Sequence, residues 1–200
     1  MNKYITIILL ALLATLSACT DDDSFSASTA NTLTFSADTV TFDTLFSRVP
    51  TATRTFWVYN HSGEGIRCSS VRLENGNQTG YRVNVDGIYL GSAKGYQTNE
   101  IEIRDKDSKR VFVERTSPEN HAKPPQLLED NIVFTLESGV QQKVNLRGYS
   151  WDADIIGMLE IRHDTTITAV DKPLIIQQGL RVDSGATLTV ARGSTIYFGQ

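Results

Sequence analysis

Two cysteines in 200 residues exclude a disulfide-stapled scaffold, since one pair at most could form. Three histidines, His61, His121 and His163, stand far apart, and none has the spacing of a metal helix or zinc ribbon. No apolar run reaches the roughly 20 residues that a spanning helix needs. No window carries a convincing 3.6-residue hydrophobic period, which excludes a helical bundle. Nucleophile elbow, P-loop and G-x-G-x-x-G are all missing. With 19 basic residues against 23 acidic ones the chain has a formal charge of −4, which argues against nucleic acid as partner.

What is present begins at the amino terminus. Lys3 precedes an apolar run from Ile5 to Leu16, and Leu16-Ser17-Ala18 leads into Cys19. That is the layout of a secretory signal over 1–18, cut before Cys19. The run of about 12 residues is too short for a retained anchor. Removing Lys3 leaves a mature charge of about −5. Thr20 to Asn31 is small, polar and acidic, with Asp21-Asp22-Asp23 at its start. Such a segment cannot bury enough apolar surface to fold, so 19–31 reads as a flexible acidic tether with a mean reach of about 20 Å. Leu16-Ser17-Ala18-Cys19 resembles the lipobox of Gram-negative bacterial lipoproteins. The resemblance implies diacylglyceryl and further acyl chains (palmitate) on Cys19, with the membrane as partner. The aspartates resemble a signal that sends such lipoproteins to the cell surface, so an outer-membrane, surface-exposed location is expected.

From Thr32 to Ser150 the period is two. Leu33-Thr34-Phe35, Val40-Thr41-Phe42, Thr53 to Tyr59, Ile66 to Leu73, Tyr81 to Val85, Ile88 to Leu90, Ile101 to Ile103, Val111 to Val113, Ile132 to Leu136 and Lys143 to Arg147 read as strands. Asp86-Gly87 is a hairpin signal, and Ser138-Gly139 joins the last two runs. Short strands of this kind, with turns every 8–12 residues, predict an antiparallel β-sandwich over 32–150. The order of the runs resembles immunoglobulin-like modules of bacterial surface and periplasmic proteins, which are related in shape to major-sperm-protein sandwiches. The resemblance implies a scaffold and a contact surface.

Beyond Trp151 the texture changes. Pro173 to Ile176, Gly179 to Val182, Gly185 to Val190 and Gly193 to Phe198 are short strands between glycine turns, with Trp151 to Asp154 as the joint. Leu180 to Val190 followed by Gly193 to Phe198 resembles the opening coil of right-handed parallel β-helix proteins. A single coil cannot bury its own apolar face, and about three repeats are needed for stability. The expectation for 151–200 is therefore a truncated first coil, or a coil packed on the sandwich. The expected fold class is all-β, an immunoglobulin-like sandwich followed by a β-helix-like segment.

No constellation for catalysis emerges. Asp105 and Asp107 imitate the start of a calcium loop, but its glycine and closing glutamate are missing. Cys68, left without a partner if lipid consumes Cys19, reads as a small buried hydrophobe. Trp57 and Tyr59 share one face of a strand whose other face carries Phe56 and Val58. One of the two faces must be core, which leaves Trp57 and Tyr59 as candidate ligand contacts if theirs is the exposed one. No catalytic residue, metal or cofactor is expected. The expected function is a non-catalytic, lipid-anchored envelope protein serving adhesion or glycan and protein contact. Two alternatives stay open: the N-terminal part of a β-helix polysaccharide-degrading enzyme with its active site past residue 200, and a surface assembly subunit.

Overall fold

The computed structural model describes residues 24–199, except 77 and 100. Cys19 and the signal segment lie outside the described residues. The strands are β1 (Leu33–Phe35), β2 (Thr39–Phe46), β3 (Arg54–Asn60), β4 (Ile66–Leu73), β5 (Tyr81–Val85), β6 (Ile88–Tyr89), β7 (Gln97–Thr98), β8 (Ile101–Ile103), β9 (Ser108–Arg115), β10 (Gln126–Leu136) and β11 (Gln141–Trp151). They form two sheets, β1-β3-β9-β5-β6 and β2-β11-β10-β4-β7, with β8 also paired to β4. A short 3-10 turn over Ser92–Lys94 is the sole helical element among the described residues. No helix among them is long and apolar enough to cross a membrane. The chain is all-β, and its larger part is a two-sheet sandwich.

Period two explains the packing. Phe56 and Val58 of β3, Val83 and Val85 of β5 and Val111 and Val113 of β9 point inward and are buried. They meet Val71 and Leu73 of β4, Ile132, Phe134 and Leu136 of β10 and Val144 and Leu146 of β11. Fully burying an aliphatic or aromatic side chain of this size contributes about 1.5–3 kcal/mol, so this layer supplies most of the driving force without a disulfide. Cys68 belongs to the same layer as a free, fully buried thiol. Burial pushes its pKa up to about 12, so the nucleophilic thiolate is suppressed.

The expected wholly antiparallel pairing needs one correction. β2 runs parallel to β11, with Thr39 opposite Asn145 and Phe46 opposite Trp151. The cause is a change of sheet within one ribbon. β1 pairs with β3 in the first sheet, then Ser36 to Asp38 carries the chain across, and β2 arrives at the edge of the second sheet still advancing. The charged turn Asp105 to Asp107 also joins strands of different sheets, β8 and β9, and so is no hairpin. Asp86-Gly87 does close the hairpin β5–β6, with φ of 51° and 85° as a primed two-residue turn requires.

The structure also differs from the expected flexible tether over Ser24 to Asn31. Phe25 bridges Gly65 in parallel, flanked by Ser26 N–H to Gly65 O at 2.9 Å and Gly65 N–H to Ser24 O at 2.8 Å. The reason is local. Gly65 has no Cβ, and the Phe25 ring fills that space beneath the Arg67 guanidinium, 4.7 Å from the ring centroid.

After Trp151 every strand pairing among the described residues is parallel. β12 (Asp154–Ile161), β14 (Leu174–Val182) and β16 (Ile196–Phe198) form one sheet, β13 (Thr165–Ile167) and β15 (Leu188–Val190) another. Asp154, Leu174 and Ile196 lie in one row, and Ile156, Ile176 and Phe198 in another. Successive rungs thus return after 20 and then 22 residues, read from the numbers of the first row. The runs at Pro173 to Ile176 and Gly179 to Val182 are a single strand, in which the register shifts by one residue before Gly179. Phe46 of the sandwich meets this segment edge-on at Tyr197, 5.0 Å between ring centroids.

Candidate functional site

The outward face of the five-stranded sheet is where chemistry-bearing side chains collect. Alternation that buries Phe56 and Val58 turns Trp57 and Tyr59 outward, and Trp57 is 39% exposed. Opposite Trp57 stands Arg110 of β9. Its guanidinium lies 5.5 Å from the Trp57 ring centroid and 4.8 Å from that of Phe112. The next row across the sheet is Thr55, Phe112, Asn84 and Tyr89, set by the registers of three successive strand pairs. Tyr89 is 52% exposed. The row after that holds Arg82 opposite Glu114, an ion pair at 3.2 Å, and Thr53 Oγ1 donates to the same carboxylate at 2.7 Å.

Two hollows open along this face. One, of about 330 Å³, is lined by Arg82, Asn84, Tyr89, Phe112 and Glu114. The other, of about 560 Å³, shares Arg82 and Tyr89 and adds Arg48, Tyr96 and the Thr116–Pro118 turn. Arg48 and Tyr96 both hold left-handed backbone, φ 68° and 59°. Non-glycine residues in that region carry strain that the surroundings must hold, and such strain concentrates at binding sites. Arg48 is paired with Glu119 at 3.3 Å, while Arg110 makes no ion pair among the described residues. Aromatic faces beside fixed cations suit a ligand with flat apolar faces and anionic groups.

The sequence brought Trp57 and Tyr59 to notice, and the structure places both on this face. The Tyr59 ring stacks on His61 with centroids 5.8 Å apart, which leaves Trp57 the freer of the two. Tyr89, Arg110 and Phe112 were not singled out. Alternation within each strand could have turned them outward, but their meeting with Trp57 depends on which strands become neighbours.

A second polar cluster sits under the joint. The Asp152 carboxylate is fully buried and accepts from Ser47 Oγ, from Asn120 N–H and from His121 N–H at 2.6 Å. Ser150 Oγ lies 3.1 Å from Ser47 Oγ and 2.6 Å from Ser117 Oγ, so three hydroxyls and a carboxylate form one buried network. Burial is the largest influence on Asp152 and acts to raise its pKa, but the hydrogen bonds from Ser47, Asn120 and His121, with the Lys172 charge, outweigh it and hold the pKa below the ordinary value. Serine, carboxylate and histidine here do not make a catalytic triad. His121 engages through its backbone, and Ser47, Ser117, Ser150 and Asp152 are sealed from solvent. The three histidines are all exposed. Asp105 accepts from Gly63 N–H and faces Lys106, an ordinary polar turn. Among the described residues no group of histidine, cysteine, aspartate and glutamate could hold a metal ion.

No protein-family model matches the chain, and no curated protein matches it significantly. Solved structures show likenesses of general β-architecture. A protein of unknown function from Porphyromonas gingivalis is 12% identical with a TM-score of 0.42, over 68% of this chain and 60% of that one. The Escherichia coli chaperone DraB is 13% identical with a TM-score of 0.36, over 60% and 56%. The ASH/PapD-like domain of human CEP192 is 11% identical with a TM-score of 0.36, over 61% and 87%. The chain thus spans less than two thirds of the first two. The fold described above rests on its own strand pairing.

Proposed function

We propose that this chain is a non-catalytic cell-envelope protein, lipid-anchored through Cys19 in a Gram-negative outer membrane, whose immunoglobulin-like sandwich presents a glycan-contact face to the outside. In this reading the parallel strands after Trp151 are the first coils of a right-handed β-helix seated on the sandwich. The observation that carries the binding role is the outward array of Trp57, Arg110, Phe112 and Tyr89 on one sheet face. Exposed aromatic rows on a rigid sheet stack well against sugar rings, whose C–H faces are apolar. The lipobox-like Leu16-Ser17-Ala18-Cys19 carries the anchoring. Several acyl chains on one residue give firm attachment where a single chain would not.

Expression of the full chain and its variants tests both halves. Cys19→Ala should move the protein from the membrane fraction to the soluble one, and continued membrane association would count against the anchor. Separately, Trp57→Ala should abolish retention on a glycan array at unchanged melting temperature. Equal retention of the variant would remove the sheet face from the reading.

A further inference from the structure

We infer that the outward face of the five-stranded sheet binds an acidic glycan, a polymer with a carboxylate or sulfate on its sugar units, by stacking on its rings and pairing with its guanidinium groups. This deepens the glycan-contact reading and rests on it. Adjacent groups trace the path. Trp57 lies beneath Arg110, Arg110 leans on Phe112, Phe112 and Asn84 share the smaller hollow with Arg82 and Tyr89, and the larger hollow continues from these to Tyr96 and Arg48. Four rings and three arginines therefore line one continuous face.

Each part of the path fits this chemistry better than a neutral sugar. A guanidinium matches a carboxylate or sulfate with two parallel hydrogen bonds, which gives orientation as well as attraction. Arg110 is exposed and carries its charge over two rings without an ion pair among the described residues, the nearby Asp86 carboxylate being taken by Lys109 at 2.9 Å, so its donors are free for a ligand. Arg48 and Arg82 are each held by a single glutamate, with side chains 58% and 45% exposed. Each keeps donors beyond those one carboxylate uses, and the glutamate fixes the direction of the rest. A net charge of −4 opposes general attraction of polyanions, so the cations act locally. The larger hollow, about 560 Å³, falls in the range of small-ligand sites.

Full chain lacking only the signal would be titrated by calorimetry with polygalacturonate, alginate, hyaluronan, heparin and polysialic acid. Methyl-esterified polygalacturonate serves as the uncharged match, and a dT oligonucleotide as the other polyanion. At least one acidic polymer should bind, esterification should weaken it, and Arg110→Gln and Arg82→Gln should each weaken it about tenfold or more with unchanged melting temperature. Added salt should weaken binding too. If the esterified polymer binds as well as the acid and Arg110→Gln has no effect while Trp57→Ala abolishes binding, the acidic class falls and the glycan-contact reading survives. If the oligonucleotide binds as tightly as the best glycan, the inference is overturned in favour of single-stranded nucleic acid. Binding to none of the acidic polymers overturns it, and silence on a full array of neutral sugars as well removes the wider reading.

Discussion

Arg115 is the least expected residue of the core. It is fully buried, yet among the described residues Nε, Nη1 and Nη2 find no hydrogen-bond partner, and the guanidinium lies over the Tyr81 ring at 5.2 Å from its centroid. Burial drives its pKa below the usual guanidinium value, with Tyr81 working the other way. An uncompensated buried cation costs more than one aromatic face returns. Arg115→Met should therefore raise stability by about 1–3 kcal/mol in urea unfolding, and a loss of that size would mean the charge is satisfied in solution. Gly80 argues in the opposite direction. Its φ is +76°, and a Cβ would come 2.1 Å from the Thr116 carbonyl oxygen, a backbone atom that cannot swing aside. Gly80→Ala should cost about 3 kcal/mol or more in the same measurement, since strain and overlap add. Neither residue was legible in the chain. Alternation would put Arg115 on the inward face with Val111 and Val113, but its charge argues against burial, and only the Thr116 backbone shows why position 80 must lack a side chain.

At the scale of elements, alternation carried most of the sandwich. Arg54 to Asn60 announces its two faces residue by residue, and Asp86-Gly87 announces its own hairpin. β12 is hidden because Asp154 to Ile161 lacks clean alternation, with Ile155 and Ile156 adjacent and Gly157 in its middle. The parallel partner of β2 was also hidden, since direction of pairing follows from the crossing at Ser36 to Asp38. Where β11 ends, Asp152 controls a seam between elements rather than a reaction. Its depressed pKa means that the ionised form stabilises the fold above the ordinary value of 3.8, and that this contribution is lost as pH falls through the lower folded value. Asp152→Asn should cost about 2 kcal/mol at pH 7, as a charged acceptor of several hydrogen bonds is removed. The gap from wild type should close as pH falls below 4 in melting curves. A gap that stays constant down to pH 2 would show that the carboxylate is not the titrating group.

The whole molecule joins two ways of building with strands. The sandwich closes its core between two sheets, whereas the parallel segment leaves Val182, Val190 and Phe198 exposed, the last at 61%. Its buried centre is small, Ile161, Ile175 and Ile176, and it gains a further seal where Phe46 meets Tyr197. The sandwich was legible because each of its strands carries its own polar and apolar faces. The rungs were harder to place, since their spacing becomes visible only once equivalent residues are stacked. The candidate binding face was half legible: Trp57 announced itself, and the arginines that give it chemical character come from strands distant in sequence.

The direction of β2 along β11 has a mechanical corollary. A load that draws Thr39 and Trp151 apart pulls β2 backward and β11 forward, so the bonds between Thr39–Phe46 and Asn145–Trp151 are stressed in shear, all at once. An antiparallel partner there would have peeled open one bond at a time, like a zip. Tugging across that pair thus meets the whole row of bonds together.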